Sequence, residues 1–363
     1  MLGILFLIVI IAACAKPTNT TISTTDTFDP TVQPTIVASG AVKPIMPVLT
    51  NPPVVWPKDV ITSANARQVI QLARWETPRL QTDNFVNRVT FSPDGRLLAS
   101  GSYDGIVRLW NIADGTVMRT LEGPKYTMWY LAFLSNETLL AASLMDKTVN
   151  LWNVSNGSLL LTVDGPTYNV SSVALSTDGM LLASGSYDGS VHLWKVSDGS
   201  LLRTLEGHTG PVVNMAFSLD GNFLASKPED GTMDLWKVAD GSLVRKIEPM
   251  GPVAFMVFSR DGTVLATVPL DDTVGLWSVA DGSLLRKTER IPPVTDMAFS
   301  PDGKMLVTGT AKLGLWSVDD GSSLRWLEDD AQGGVQSVAF SPDGRLLASG
   351  SEDGTIILWG IAP

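Results

Sequence analysis

The sequence predicts an all-β fold in which seven units of four short antiparallel strands stack around a ring. The dipeptide Leu-Trp recurs every 39 to 43 residues, with its Trp at positions 110, 152, 194, 236, 277, 316 and 359. Asp-Gly or Asn-Gly pairs surround most of these segments, and both accept the positive φ that tight hairpin turns require. One four-stranded sheet cannot bury both of its faces, so the units must stack, and radial closure protects most strand edges.

The first element is an uncharged apolar run of twelve residues, from Leu2 to Ala13, that ends at Cys14. A bilayer-spanning helix needs about 20 residues, so this run has the length of a signal-peptide core. The segment Ile11-Ala12-Ala13-Cys14 resembles the bacterial lipobox. That resemblance implies a signal peptide over 1–13, lipidation of Cys14 and a lipid-anchored location on the extracytoplasmic side of a cell membrane. No Lys or Arg precedes the run, although a signal peptide usually begins with a positive charge. Either the true start lies upstream, or the Met1 amino group alone supplies that charge.

The second element is a tether over 14–58. Eight prolines and nine threonines lie between residues 15 and 58, with few charges. Proline removes backbone donors and fixes φ, so we expect an extended linker between the lipidated Cys and the repeats. The repeats would then form one domain over 59–363.

The last repeat ends at Ile361-Ala362-Pro363, just after its third strand, and so lacks an outer strand. Residues 69–74, which precede the first repeat, have the pattern of that missing strand. We therefore expect the N-terminal strand to complete the last unit and to cover its exposed edge.

The Ser-Pro-Asp-Gly turns, the Ser-Gly-Ser-x-Asp-Gly hairpins and the Leu-Trp strands resemble those of the WD-repeat β-propellers, over about residues 68–363. The resemblance implies a seven-bladed propeller of four-stranded antiparallel blades. It also implies a structural hydrogen-bond network of His, Ser or Thr, Asp and Trp inside each blade. The matching positions are His208, Ser226, Asp230 and Trp236 in the fourth unit, Ser100, Asp104 and Trp110 in the first, Ser184, Asp188 and Trp194 in the third, and Ser349, Asp353 and Trp359 in the last.

Three further units keep part of this network. The second has Ser143, Asp146 and Trp152, the fifth has Thr267, Asp271 and Trp277, and the sixth has Thr308 and Trp316 without the Asp. Because its turn is also short, we expect the sixth unit to be the least regular. The Asp that follows Trp in the family's name is absent throughout.

Family geometry places the hairpins between second and third strands on one face, beside the connections between units. This face is a possible partner-binding surface, because aromatic residues in neighbouring loops stand opposite acidic ones. Its candidate residues are Tyr103, Tyr126, Trp129, Tyr168, Tyr187, Glu229 and Glu352.

Composition excludes several other functions. The chain has 26 Lys and Arg against 37 Asp and Glu, a net charge of −11, which argues against nucleic-acid binding. One cysteine, two histidines and no nucleotide-binding or calcium-loop motif point to no catalytic residue, metal or cofactor. Together, the resemblances to the lipobox and to the WD-repeat β-propellers imply a membrane-anchored, non-catalytic scaffold that binds a protein or peptide. The alternatives are a cytoplasmic scaffold and a metal-dependent propeller hydrolase.

Overall fold

The computed structural model describes residues 56–77, 85–122, 128–134, 138–143, 148–164, 170–176, 178–218, 220–247, 253–269, 271–328 and 333–362. All of them belong to one compact unit, which spans Pro34–Pro363. The predicted signal peptide, Cys14 and nearly all of the tether lie outside the described residues.

A 3₁₀-helix over Ala66–Gln68 leads into β1 (Val69–Glu76), and the strands that follow form sheets in chain order. Sheet 1 contains β2 (Val86–Phe91), β3 (Leu97–Ser102), β4 (Ile106–Asn111) and β5 (Val117–Glu122). Sheet 2 contains β6 (Met128–Phe133), β7 (Thr138–Ser143), β8 (Thr148–Asn153) and β9 (Leu159–Asp164). Sheet 3 contains β10 (Val170–Leu175), β11 (Leu181–Ser186), β12 (Val191–Lys195) and β13 (Leu201–Leu205).

Sheet 4 contains β14 (Val212–Phe217), β15 (Phe223–Pro228), β16 (Met233–Lys237) and β17 (Leu243–Ile247). Sheet 5 contains β18 (Val253–Phe258), β19 (Val264–Pro269), β20 (Gly275–Ser278) and β21 (Leu284–Lys287). Sheet 6 contains β22 (Asp296–Phe299), β23 (Met305–Gly309), β24 (Leu313–Ser317) and β25 (Ser323–Leu327). Sheet 7 contains β26 (Val335–Phe340), β27 (Leu347–Ser351), β28 (Thr355–Ile361) and β1.

The N-terminal strand completes the last sheet, as predicted. β1 pairs antiparallel with β28, from Val69 opposite Ile361 to Glu76 opposite Thr355. The first strand of each sheet contacts the first strand of the next, and β26 contacts β2, so the described sheets close into a ring. The predicted four-stranded antiparallel blades of a β-propeller are therefore confirmed.

The two ends of the strands define two faces of this ring. The second-to-third-strand hairpins and the connections between sheets lie at one end, which we call the hairpin face. The first-to-second and third-to-fourth turns lie at the other end, the turn face. Glycines with positive φ occupy most turns; Asp272, in the hairpin of sheet 5, has a φ of 63° where sheets 1, 3, 4 and 7 place glycine. Only glycine adopts that conformation without a steric cost.

The core lies between neighbouring sheets. One buried cluster joins Trp75 of β1 and Ile356 of sheet 7 to Leu98 and Trp110 of sheet 1. Each cluster of this kind removes the inner surfaces of two sheets from water, which a lone sheet could not do.

Candidate functional site

The Trp of each third strand donates a hydrogen bond to a hydroxyl of the second strand wherever both side chains are described. The Nε1 atoms of Trp110, Trp194, Trp236, Trp277, Trp316 and Trp359 lie 2.8, 2.8, 2.7, 2.8, 2.9 and 3.0 Å from the hydroxyl oxygens of Ser100, Ser184, Ser226, Thr267, Thr308 and Ser349. Because a buried indole N–H requires a partner, these hydroxyls hold the Trp side chains in place. The Ser143 side chain and Asp146 lie outside the described residues.

Sheet 4 adds a histidine to this pair, but with a different carboxylate from the one expected. His208 Nε2 lies 2.7 Å from Ser226 Oγ, and its Nδ1 lies 3.1 Å from Asp234 Oδ2. Asp234 pairs with Ser226 across the two central strands, which places its carboxylate beside the imidazole of His208. Asp230 accepts hydrogen bonds from the backbone N–H and the hydroxyl of Thr232 instead. Its short side chain therefore belongs to the hairpin rather than to the network.

The other hairpin aspartates behave in the same way. Asp104, Asp188 and Asp353 each accept a hydrogen bond from the backbone N–H two residues later, at 3.0, 2.8 and 3.0 Å. Asp104 Oδ2 also lies 3.2 Å from Arg108 Nη2, a guanidinium buried inside sheet 1. These three aspartates therefore stabilise their hairpins, and their part in a network with the Ser and Trp of their sheets stays a prediction.

The position two residues before Trp differs from sheet to sheet. It holds Arg108 in sheet 1, His192 in sheet 3 and Asp234 in sheet 4, all of them buried. The His192 ring stacks on Trp194, and burial lowers its pKa while Asp188 opposes that shift. These buried polar side chains are local variations of the repeat and share no chemistry.

Ser226, His208 and Asp234 have the order and spacing of a hydroxyl, a base and an orienting carboxylate, an arrangement that can activate a nucleophile. Here the three side chains are fully enclosed, with an exposed fraction of 0% for each. Ser226 Oγ also receives the indole hydrogen bond of Trp236. No substrate carbonyl can reach that oxygen, so the arrangement acts in packing.

Arginines of the outer strands bind the next sheet, a feature that sequence reasoning missed. The guanidinium of Arg203 donates to the carbonyls of Asp240 and Ala239, at 2.8 and 3.2 Å. Arg119 and Arg245 make equivalent pairs of contacts to the third-to-fourth-strand turns of sheets 2 and 5. Arg286 reaches the turn of sheet 6 through Nε alone, which donates to the carbonyl of Asp319. We call each contact an arginine clasp. The sequence does carry a signal for these contacts, because an Arg recurs at the third position of the outer strands.

The hairpin face presents four of the predicted docking residues to solvent. Tyr103 and Tyr187 are 43% and 49% exposed, and Glu229 and Glu352 are exposed as well. All four stand immediately before the hairpin aspartate of their sheets. Tyr126 and Tyr168 lie outside the described residues, as does the side chain of Trp129. The Trp129 backbone lies at a register shift between Met128 and Tyr130, where β6 pairs with β7.

Lys227 is an unusual buried side chain close to this face. It stands where sheets 1, 3, 6 and 7 have glycine, and it is 5% exposed. Burial lowers its pKa to about 8, while Glu229 and Asp230 oppose the shift. Among the described residues no ion pair reaches its amine. Removing an ammonium group from water without a close partner costs stability.

Other kinds of site were also searched for. The described part of the chain contains no group of three or more His, Cys, Asp or Glu arranged to hold a metal ion. No helix within it is long and apolar enough to cross a membrane.

Comparison with protein families gives one matching model, described as WD domain, G-beta repeat. It matches residues 77–111, 115–153, 157–195, 199–237, 287–322 and 321–360, more than half of the chain. Six repeats are thus matched, and β18, β19 and β20 of sheet 5 lie between the matched segments.

Short parts of the chain are similar to known proteins. The small ribosomal subunit protein RACK1 of Caenorhabditis elegans is 41% identical over 69 residues, which cover 18% of this chain and 21% of that protein. The probable serine/threonine-protein kinase PkwA of Thermomonospora curvata is 45% identical over 53 residues, which cover 15% of this chain and 7% of the kinase. Both similarities span only a small part of the relative.

Proposed function

Because this chain belongs to the WD domain, G-beta repeat family, we propose that it is a non-catalytic scaffold that binds another protein through the hairpin face. The observation that carries the proposal is the exposure of Tyr103 and Tyr187 at equivalent hairpin positions. Exposed aromatic rings on a rigid framework are frequent anchors of protein interfaces. The enclosed Ser226 group supports a role without catalysis. The similarity to a kinase covers 7% of that protein and lends no support to kinase activity.

We also propose that sheet 5 is a seventh repeat of the same family. Its Trp277 donates to Thr267 at 2.8 Å, like the Trp of the matched repeats. Its hairpin carries Asp272 in place of glycine, and its outer two strands have four residues each. These departures account for a weaker resemblance to the family pattern.

The third part of the proposal concerns location. We propose that residues 1–13 are an export signal, that Cys14 is lipidated and that the Pro- and Thr-rich segment tethers the propeller to the extracytoplasmic side of a membrane. The apolar run and the Ile-Ala-Ala-Cys segment support it. The test compares wild type with Cys14→Ser by intact mass and membrane fractionation. An acylated chain that starts at Cys14 is expected; an unprocessed soluble product would instead indicate a cytoplasmic scaffold.

The docking role can be tested by site-specific photo-crosslinking in the native cell. A photoreactive phenylalanine replaces Tyr103 or Tyr187 on the hairpin face, and Met180, which is 67% exposed on the turn face, serves as the matched control. We expect a discrete crosslinked product from the two tyrosine positions and none from Met180. Equal products from both faces, or none from the hairpin face, would contradict the proposal.

A further inference from the structure

Aspartates accept hydrogen bonds within their own turns on both faces of the propeller, but the two faces differ in their other charged side chains. In one such turn on the turn face, the backbone N–H of Ser283, and then its hydroxyl, lower the pKa of Asp281 to about 2. Basic side chains stand among the aspartates of the turn face, at Arg96, Lys195, Lys237, Arg260, Lys304 and Arg345, together with the arginine clasps. The turn face thus carries both signs of charge in close alternation.

The hairpin face carries exposed glutamates in addition to its hairpin aspartates. Glu122, Glu206, Glu229, Glu289 and Glu352 are exposed there, and none forms an ion pair with another described residue.

The basic groups of that face are mostly neutralised or enclosed. Lys287 and Lys312 are paired with Asp271 and Glu328, both at 2.5 Å, and Arg108 is buried against Asp104. Lys246 and Arg74 are paired with Asp234 and Asp353, at 3.3 and 3.5 Å. Lys227 is buried, and Arg290 on the connection to sheet 6 is exposed without an ion pair to a described residue. The described part of the hairpin face is therefore the more negative of the two faces.

A second observation points to the same kind of ligand. The residue before the hairpin aspartate is Tyr103, Tyr187, Glu229 or Glu352 in four of the described sheets. A tyrosine ring attracts a cation through its negative face, and a glutamate attracts it through its charge. The same position of the repeat thus carries a cation-attracting side chain by two different chemistries.

We infer that the hairpin face binds a protein segment rich in lysine or arginine. This inference rests on the proposed scaffold function and gives the chemistry of its partner. These glutamates, none of which forms an ion pair with a described residue, steer the basic segment towards the face. The exposed tyrosines provide contact area and cation–π interactions once it has arrived. The interaction is therefore sensitive to salt, because surface charges are screened over about 8–10 Å at physiological ionic strength.

The test measures binding of a fluorescent octa-arginine peptide to the full chain, with octa-glutamate as the peptide control. Glu229→Gln with Glu352→Gln removes two charges from the hairpin face. Asp59→Asn with Asp319→Asn removes two exposed charges elsewhere, from residues that make no side-chain hydrogen bond or ion pair with the described residues. We expect at least a fivefold loss of affinity from the first pair and less than a twofold loss from the second.

A further variant separates ring contacts from charge. Tyr103→Ser with Tyr187→Ser leaves the net charge unchanged, and we expect a loss of about threefold with little change in salt dependence. Equal losses from the two charge pairs would show unspecific attraction to an acidic protein and overturn the inference. A crosslinked partner at Tyr103 whose binding is unaffected by Glu229→Gln with Glu352→Gln would also overturn it, while leaving the scaffold role intact.

Discussion

At the scale of single residues, Ser226 has more partners than the corresponding hydroxyls of other sheets. Its Oγ contacts both His208 Nε2 and Trp236 Nε1, whereas Ser349 Oγ receives only the indole of Trp359 in its network. Removing a hydroxyl leaves each buried partner without its hydrogen bond, at a cost of about 1–3 kcal/mol per group.

We therefore expect Ser226→Ala to lower the free energy of unfolding more than Ser349→Ala does. The first variant leaves two buried groups unsatisfied and the second leaves one, so the difference should be the cost of one group, about 1–3 kcal/mol. Chemical denaturation of both variants measures it. Equal losses would mean that the His208 contact adds no stability.

Lys227 gives a prediction that depends on pH. Its pKa is lowered from 10.5 to about 8 in the folded chain. Below pH 8 the amine is charged in both states, so the folded state carries the whole cost of burial, at most about 3 kcal/mol. Between pH 8 and 10.5 the folded chain releases the proton before the unfolded chain does, so stability rises with pH.

We expect Lys227→Met to be more stable than wild type at pH 7 and this advantage to shrink by pH 10. The matched control is Lys195→Met, because Lys195 is exposed and should show no such trend. Urea denaturation at the two pH values provides the measurement. An advantage that is the same at both would show that burial of the charge is not its cause.

At the scale of elements, the arginine clasps depend on glycine in the turn they bind. A Cβ at Gly241 would lie 2.4 Å from Arg203 Cδ, and one at Gly157 would lie 2.6 Å from Arg119 Cδ. The missing side chain thus lets the arginine lie across the turn and reach two carbonyls. The same Asp-Gly or Asn-Gly pair therefore serves both the turn between the third and fourth strands and the contact between sheets.

Gly241→Ala should destabilise the chain more than Gly221→Ala does. Both glycines have positive φ, at 74° and 70°, but a Cβ at Gly221 meets no atom within 4 Å. The difference therefore isolates the loss of the clasp, about 1–3 kcal/mol for hydrogen bonds from a charged donor. In Arg203→Ala, which removes the side chain that a Cβ at Gly241 would meet, the difference between the two glycine variants should shrink in thermal unfolding. A persistent difference there would contradict the role of Arg203.

The contrast between the tryptophan network and the clasps shows what sequence reasoning can recover. Ser100 and Trp110 are ten residues apart on two strands joined by a hairpin, so their contact follows from local pairing. Asp234 was not identifiable, because its position holds Arg108 in sheet 1 and His192 in sheet 3. The clasps escaped notice because their acceptors are backbone carbonyls, which any residue type supplies. The hairpin face was predictable because the hairpins between second and third strands all lie at one end of the ring.

At the scale of the whole molecule, ring closure depends on contacts made by the segment before sheet 1. We call residues 56–77 the strap. Trp75 is buried and stacks on Trp110 at 5.5 Å, and Thr77 donates from both its N–H and its hydroxyl to the carbonyl of Gly354. Arg325 donates to the carbonyl of Arg67 in the strap, whereas the other clasps bind a turn that joins the third and fourth strands of the next sheet.

Deleting residues 60–78 should open the ring and expose the apolar surface of sheets 7 and 1. We expect a lower melting temperature and increased binding of a hydrophobic dye, because the edge of β28 and the face of Trp110 lose their cover. Arg325→Met keeps the strap and should give only a small decrease in melting temperature. Unchanged thermal unfolding of the truncated chain would contradict closure by the strap.

The pairing of β1 with β28 also has a consequence for how the chain folds. The strand made first during synthesis must wait for the strand made last, since Val69 pairs with Ile361. Sheets 1 to 6 are built from neighbouring segments and can form in order as the chain emerges. The β1–β28 pairing of sheet 7 joins residues separated by nearly the whole length of the domain, and such distant pairings are slow to form. The ring can therefore close only after β28 has been synthesised, and until then β1 needs protection from competing partners.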